Sequence, residues 1–141
     1  MTRAEEVDAH LEAIYARIPD VQCKGLCQDA CGPITGGHRE LVRMRRAGVT
    51  LLPVLAQVQR LGSEGYTCPA LVDGQCSTYG VRPAICRVWG AAEDLPCPFG
   101  CRPANGALLT APEAHALLDA ATNAGTPLAS TSFTNRKDTT P

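Results

Sequence analysis

Large aromatic side chains are scarce in this chain: two Phe, three Tyr and one Trp in 141 residues. Rings supply much of the buried area of an ordinary core, so the interior has to lean on Leu, Val, Ile and Ala. Charge of one sign is not in excess either. The formal net charge is −1, which excludes a global field that would draw the chain to nucleic acid or to an anionic membrane. No apolar run approaches the ~20 residues of a transmembrane helix. The opening Met-Thr-Arg-Ala-Glu-Glu lacks the basic-then-apolar order of a secretion signal, so the expected location is cytoplasmic. No Asp or Glu cluster accompanies the cysteines, which argues against a hard-metal site. No nucleophile–base pair, phosphate loop or dinucleotide fingerprint is visible, and no reaction is assigned from motif alone.

Cysteine is what the chain has in plenty. Eight are present: Cys23, Cys27 and Cys31 in a first block, then Cys68, Cys76, Cys86, Cys97 and Cys101 in a second. An even count leaves a disulfide framework as one reading. Thiols in a reducing compartment rarely pair structurally, and clusters there more often bind metal or do redox chemistry. Thiolates are soft ligands, and four in a tetrahedron select zinc or an iron–sulfur cluster. Zinc modules usually present ligands from Cys-x2-Cys turns, and this chain has none. Cys68-Pro69 and Cys97-Pro98 place proline directly after cysteine, as ferredoxin-type ligand runs do. Iron–sulfur, with a 4Fe-4S cluster, is therefore favoured, and zinc is the alternative.

Helical periodicity frames the cysteines. Val7, Leu11, Ile14 and Ile18 share one face of a helix over residues 2–18, which Thr2 and Glu5 open as a capping box and Pro19 ends. A basic helix is expected at His38–Ala47, closed by Gly48. A second is expected at about Leu51–Leu61, capped by Thr50, closed by Gly62, with Leu51, Val54, Leu55, Val58 and Leu61 as its apolar stripe. The two read as a helical hairpin. From Tyr66 to Pro103 periodicity stops, and prolines and glycines exclude one long helix or a central strand. Thr110-Ala111-Pro112-Glu113 starts a last helix that buries Ala114, Leu117, Leu118 and Ala121 and ends at Gly125. The expected fold is mainly α: one domain over residues 1–125, about four helices beside an irregular cysteine-rich segment. Residues 126–141, rich in Thr and Ser, read as a disordered tail.

The run Cys68-Pro69-Ala70-Leu71, Gly74-Gln75-Cys76-Ser77-Thr78-Tyr79 and Arg82-Pro83-Ala84-Ile85-Cys86-Arg87 resembles the YkgJ-like cysteine-cluster family. Members of that family are described as zinc- or iron-chelating domains. The resemblance covers about Cys23–Cys101. It implies Cys27, Cys31, Cys68, Cys76 and Cys86 as metal ligands, while Cys23, Cys97 and Cys101 rest on local spacing. The chain departs from the family in the first block. Its gaps are three residues rather than two, and Gly32 stands where a second cysteine of the final pair is expected. Cys97 or Cys101 could replace that ligand. The resemblance implies metal binding and names no reaction.

Arg82 and Arg87 flank Cys86, where a guanidinium would offset an anionic metal–thiolate group and donate to sulfur; an ordinary surface arginine is the plain alternative. Tyr79 and Trp89 either cover the metal or pack in the core. His38 sits among Arg39, Arg43, Arg45 and Arg46 and reads as a solvated helix residue. That basic face is expected to pair with the acidic first helix, and nucleic acid is not an expected partner. Three functions remain open: an iron–sulfur protein in redox or electron transfer, a zinc-stabilised module that meets a protein partner through the basic helix or the apolar hairpin, and an enzyme whose cluster keeps an open iron.

Overall fold

The computed structural model describes residues 1–21 and 32–125. Of these, 46% are helical and very few are in strands, so the domain is mainly α. The elements run α1 (Arg3–Tyr15), α2 (His38–Arg46), α3 (Val54–Ser63), β1 (Leu71–Val72), β2 (Gln75–Cys76), a 3-10 turn (Tyr79–Val81), α4 (Ala84–Val88) and α5 (Ala111–Asn123). Among the described residues, no helix is long and apolar enough to cross a membrane.

Local chemistry accounts for the ends of the outer helices. In α1 the Thr2 hydroxyl accepts the Glu5 amide at 3.1 Å while the Glu5 carboxylate accepts the Thr2 amide at 3.1 Å. Thr110 and Glu113 repeat the device at the start of α5. Each box satisfies donors that a bare helix end leaves unpaired. Helix α2 stops where expected: Ala47 is its C-cap, and Gly48 follows at φ 101°, a conformation that costs glycine little.

The core has two parts. Val7, Leu11, Ile14, Tyr15 and Ile18 from the α1 region pack on Ala84 and Val88 of α4, Ala91, and Leu117 and Ala121 of α5. A smaller cluster gathers Met44, Val49, Cys68 and Ala70, with Ile34, Leu41, Leu51 and Cys76 against it. Helix α2 serves both parts, through Glu40 on one side and Met44 on the other. Glu40 is the unexpected member. Its carboxylate is buried and accepts the Tyr15 hydroxyl at 2.6 Å, the Ala84 amide at 2.7 Å and the Gly37 amide at 2.9 Å. A buried carboxylate is tolerated only when bonded in this way. One side chain thus ties α1, α2 and the first turn of α4. Gly37 permits the approach. A Cβ there would stand 2.6 Å from the Ala121 carbonyl oxygen and 2.7 Å from that of Thr122.

The basic face of α2 meets α1 as its charges suggest. Arg39 grips both oxygens of Asp8, at 2.7 and 2.8 Å, and Arg43 pairs with Glu12. The Arg39 guanidinium holds the Asp8 carboxyl below its ordinary range.

Helix α3 departs from expectation. It begins at Val54 after Pro53, and Gly62 lies inside it; the glycine that ends it is Gly65, at φ 87°, whose amide reaches the Arg60 carbonyl at 2.8 Å. Its apolar stripe faces solvent: Val54, Leu55, Val58 and Leu61 are exposed. The buried side chain is Gln57, which accepts the Ile34 amide at 2.9 Å and donates to the Ile34 and Leu52 carbonyls at 2.8 and 2.7 Å. Three good hydrogen bonds at a chain crossing hold the helix where an apolar contact was expected. His38, as expected, is exposed.

Candidate metal centre

The second cysteine block is not one loop. Asp73 and Gly74 both have positive φ, 51° and 79°, the conformation of a two-residue hairpin turn for which Asp-Gly is well suited. Strands β1 and β2 pair antiparallel across it, with Leu71 opposite Cys76. A turn just before it bonds the Leu71 amide to the Cys68 carbonyl at 3.0 Å, and across the hairpin the Ser77 amide bonds the Ala70 carbonyl at 2.7 Å. The chain therefore doubles back, and Cys76 joins Cys68 in the smaller apolar cluster. Both are free thiols. Burial pushes the Cys68 thiol up from its ordinary range; a hydrogen bond from the Ala70 backbone works against this, and nearby Cys76 adds to it. The Cys76 sulfur lies 3.6 Å from the hydroxyl of buried Thr78.

Cys86 is half-buried on α4, the short helix whose first amide Glu40 holds. Its neighbours Ala84 and Val88 are buried in the main core, so the helix is clamped on both sides of the thiol. Cys97 and Cys101 lie in a tight turn. The Gly100 amide donates to the Cys97 carbonyl at 3.0 Å, and the Phe99 amide donates to the Cys97 sulfur at 3.4 Å. An amide aimed at sulfur favours the thiolate over the thiol. Cys101 is buried.

Cys23, Cys27 and Cys31 lie outside the described residues, but the chain on either side of them does not. Val21 bridges antiparallel to Pro103, two residues beyond Cys101. Beside it, a Cβ on Gly90 would lie 3.3 Å from the Val21 side chain and 3.5 Å from Cys97 Cβ. At the other side, Ile34 is clamped by Gln57 and packs on the cluster that contains Cys68 and Cys76. The first block is thus flanked by one anchor at Cys97 and Cys101 and another at Cys68 and Cys76.

Among the described residues, no three Cys, His, Asp or Glu side chains come together as a metal-holding group. Thiols, with one amide directed at sulfur, are donors of the kind a soft metal takes. The second block alone falls short of a full ligand set, and sulfur from Cys23, Cys27 or Cys31 would have to complete it.

The flanking arginines each stack on a ring and bond to backbone carbonyls. Arg87 lies over the Tyr15 ring at 3.8 Å and donates to the carbonyls of Arg82 at 2.8 Å and Gly80 at 3.1 Å. Arg82 lies over the Tyr79 ring at 3.7 Å and donates to the Tyr79 carbonyl at 2.9 Å. These contacts shape the chain that leads into α4. Tyr79 and Trp89 are surface residues, 52% and 38% exposed, so neither belongs to the core. His115 is within 3.0 Å of Asp94 at the surface.

One residue and one turn that position the site escaped sequence reasoning. Glu40 was hidden in a basic run, although Gly37 and Glu40 have capping-box spacing. The hairpin was signalled by Asp73-Gly74 between Val72 and Gln75. In comparisons with known proteins, no family model, no curated protein and no solved structure matches the chain.

Proposed function

We propose that this chain is a cysteine-cluster metal protein of the YkgJ-like kind that its Cys68–Arg87 run resembles, holding an iron–sulfur cluster, 4Fe-4S, in a redox or electron-transfer role. The observation that carries the reading is where Val21 and Ile34, on either side of the first cysteine block, are held. Its flanks are tied beside two separate groups of second-block thiols, although 36 positions separate Cys31 from Cys68 in the sequence. The ligands are drawn from Cys27, Cys31, Cys68, Cys76 and Cys86, together with Cys23, Cys97 and Cys101. When bound, such a cluster supplies one-electron transfer at a potential set by its surroundings. The residues around it have definite work. The Phe99 amide stabilises negative charge on the Cys97 sulfur, Glu40 fixes the helix that carries Cys86, and the apolar cluster keeps water from Cys68.

A second reading is a zinc-stabilised interaction module. The exposed stripe Val54, Leu55, Val58 and Leu61 on α3 favours it, because four large apolar side chains on one helical face are a surface that a partner can cover. One sample separates the two. After anaerobic purification, iron with acid-labile sulfide and broad visible absorbance is expected. A colourless sample with stoichiometric zinc would replace the first reading by the second. A sample with neither metal would remove both.

A further inference from the structure

Thr78 is polar yet only 2% exposed. Its hydroxyl has one hydrogen-bond partner among the described residues, the Cys76 sulfur at 3.6 Å. Sulfur is larger than oxygen, so hydrogen bonds to it are longer. The backbone holds Thr78 from both sides. Across the hairpin the Ser77 amide bonds the Ala70 carbonyl at 2.7 Å, and in the 3-10 turn the Val81 amide bonds the Thr78 carbonyl at 3.0 Å. Valine would fill the same space with no hydroxyl to desolvate, and a buried hydroxyl is costly unless it is bonded. The sulfur is what the hydroxyl serves.

While Cys76 is a free thiol, either group can be the donor. A cysteine sulfur that ligates metal has lost its proton, and then the Thr78 hydroxyl alone can donate. Resting on the iron–sulfur reading above, we propose that Thr78 sets the reduction potential of that centre, by donating a hydrogen bond from its hydroxyl to the Cys76 sulfur. Negative charge on the ligand sulfurs is greatest in the reduced state. A donor aimed at one of them stabilises that state and raises the potential. Because Thr78 is buried, water does not take over as donor when the hydroxyl is removed. The Phe99 amide has the same relation to the Cys97 sulfur, but it belongs to the backbone, and no side-chain substitution deletes it. Thr78 is the donor that can be deleted.

Wild type, Thr78→Val and Thr78→Ser are purified anaerobically, and iron and acid-labile sulfide are measured in each. Each is then titrated with dithionite in the presence of redox mediators, and its melting temperature is recorded. Thr78→Val is expected to keep its iron and to shift the balance roughly ten-fold toward the oxidised form, a potential more negative by about 59 mV for one electron. Thr78→Ser keeps a hydroxyl and stays near the wild type. Equal potentials in all three would overturn the proposal, and so would a shift in Thr78→Ser as large as that in Thr78→Val. A Thr78→Val chain that loses its iron while Thr78→Ser retains it would also overturn it, since the hydroxyl would then hold the site together rather than tune it. In all these cases the iron–sulfur reading stands. A wild type without iron and sulfide removes that reading, and the role of Thr78 with it.

Discussion

Replacing Glu40 tests how the domain holds Cys86. The side chain is 1% exposed and accepts three hydrogen bonds, from Tyr15, Ala84 and Gly37. Glu40→Ala strands these donors in the interior. Bonds to a charged acceptor contribute roughly 1.5–3 kcal/mol each, but removing the carboxylate also removes its own desolvation cost. The net loss is set at about 3–5 kcal/mol, the range for breaking a buried charged contact from one side. Glu40→Gln keeps the shape and one good acceptor but turns an NH2 group toward a remaining donor, for a cost of about 2 kcal/mol. Urea denaturation on samples of equal metal content measures both. Tyr15→Phe combined with Glu40→Gln should cost less than the sum of the two, because they remove the same bond. The Ala84 amide opens α4, so Cys86 should also alkylate faster in Glu40→Ala than in the wild type. A Glu40→Ala protein within about 1 kcal/mol of wild type would refute the view that this carboxylate is a structural pin.

Three further outcomes are expected. Gly37→Ala forces a Cβ against the α5 carbonyls, at 2.6 Å from that of Ala121, and should lower stability by about 1–3 kcal/mol; an unchanged melting curve would mean that α2 and α5 can part freely. Burial, and then the bond to Glu40, hold the Tyr15 hydroxyl proton well above its ordinary pKa of 10.0. Above that pH the unfolded chain releases the proton and the folded chain keeps it, so stability falls as pH rises, by up to about 1.4 kcal/mol per pH unit; Tyr15→Phe should flatten the slope in denaturation series from about pH 9.5 to 11. Cys68→Ser should reduce bound metal, read by elemental analysis, and full occupancy in that variant would remove Cys68 from the ligand set.

The outer helices were legible from sequence because their causes are local. Thr2 with Glu5, and Thr110 with Glu113, each bond within one turn, so four consecutive residues carry the whole signal. Gly48 and Gly125 mark helix ends for a similar reason: both adopt positive φ, which a single residue type supplies. The pairing of α1 with α2 followed from opposite charge at suitable spacing, and Asp8 with Arg39 bears it out. The first cysteine block falls outside the described residues.

What only tertiary structure decided involves competition between distant segments. Amphipathic pattern marked Leu55, Val58 and Leu61 as the apolar stripe of α3, yet the buried place went to Gln57, which bonds both the amide and the carbonyl of Ile34. Composition made α2 a solvated basic helix, yet Glu40 was taken into the interior to satisfy amides from two other parts of the chain. The sequence by itself determined which residues begin and end helices and that thiols are abundant. The fold decided which thiols are neighbours. That choice rests on a two-residue turn at Asp73-Gly74, on Gln57 holding Ile34, and on Val21 meeting Pro103. The last two join residues far apart in sequence, and no local pattern encodes their energy.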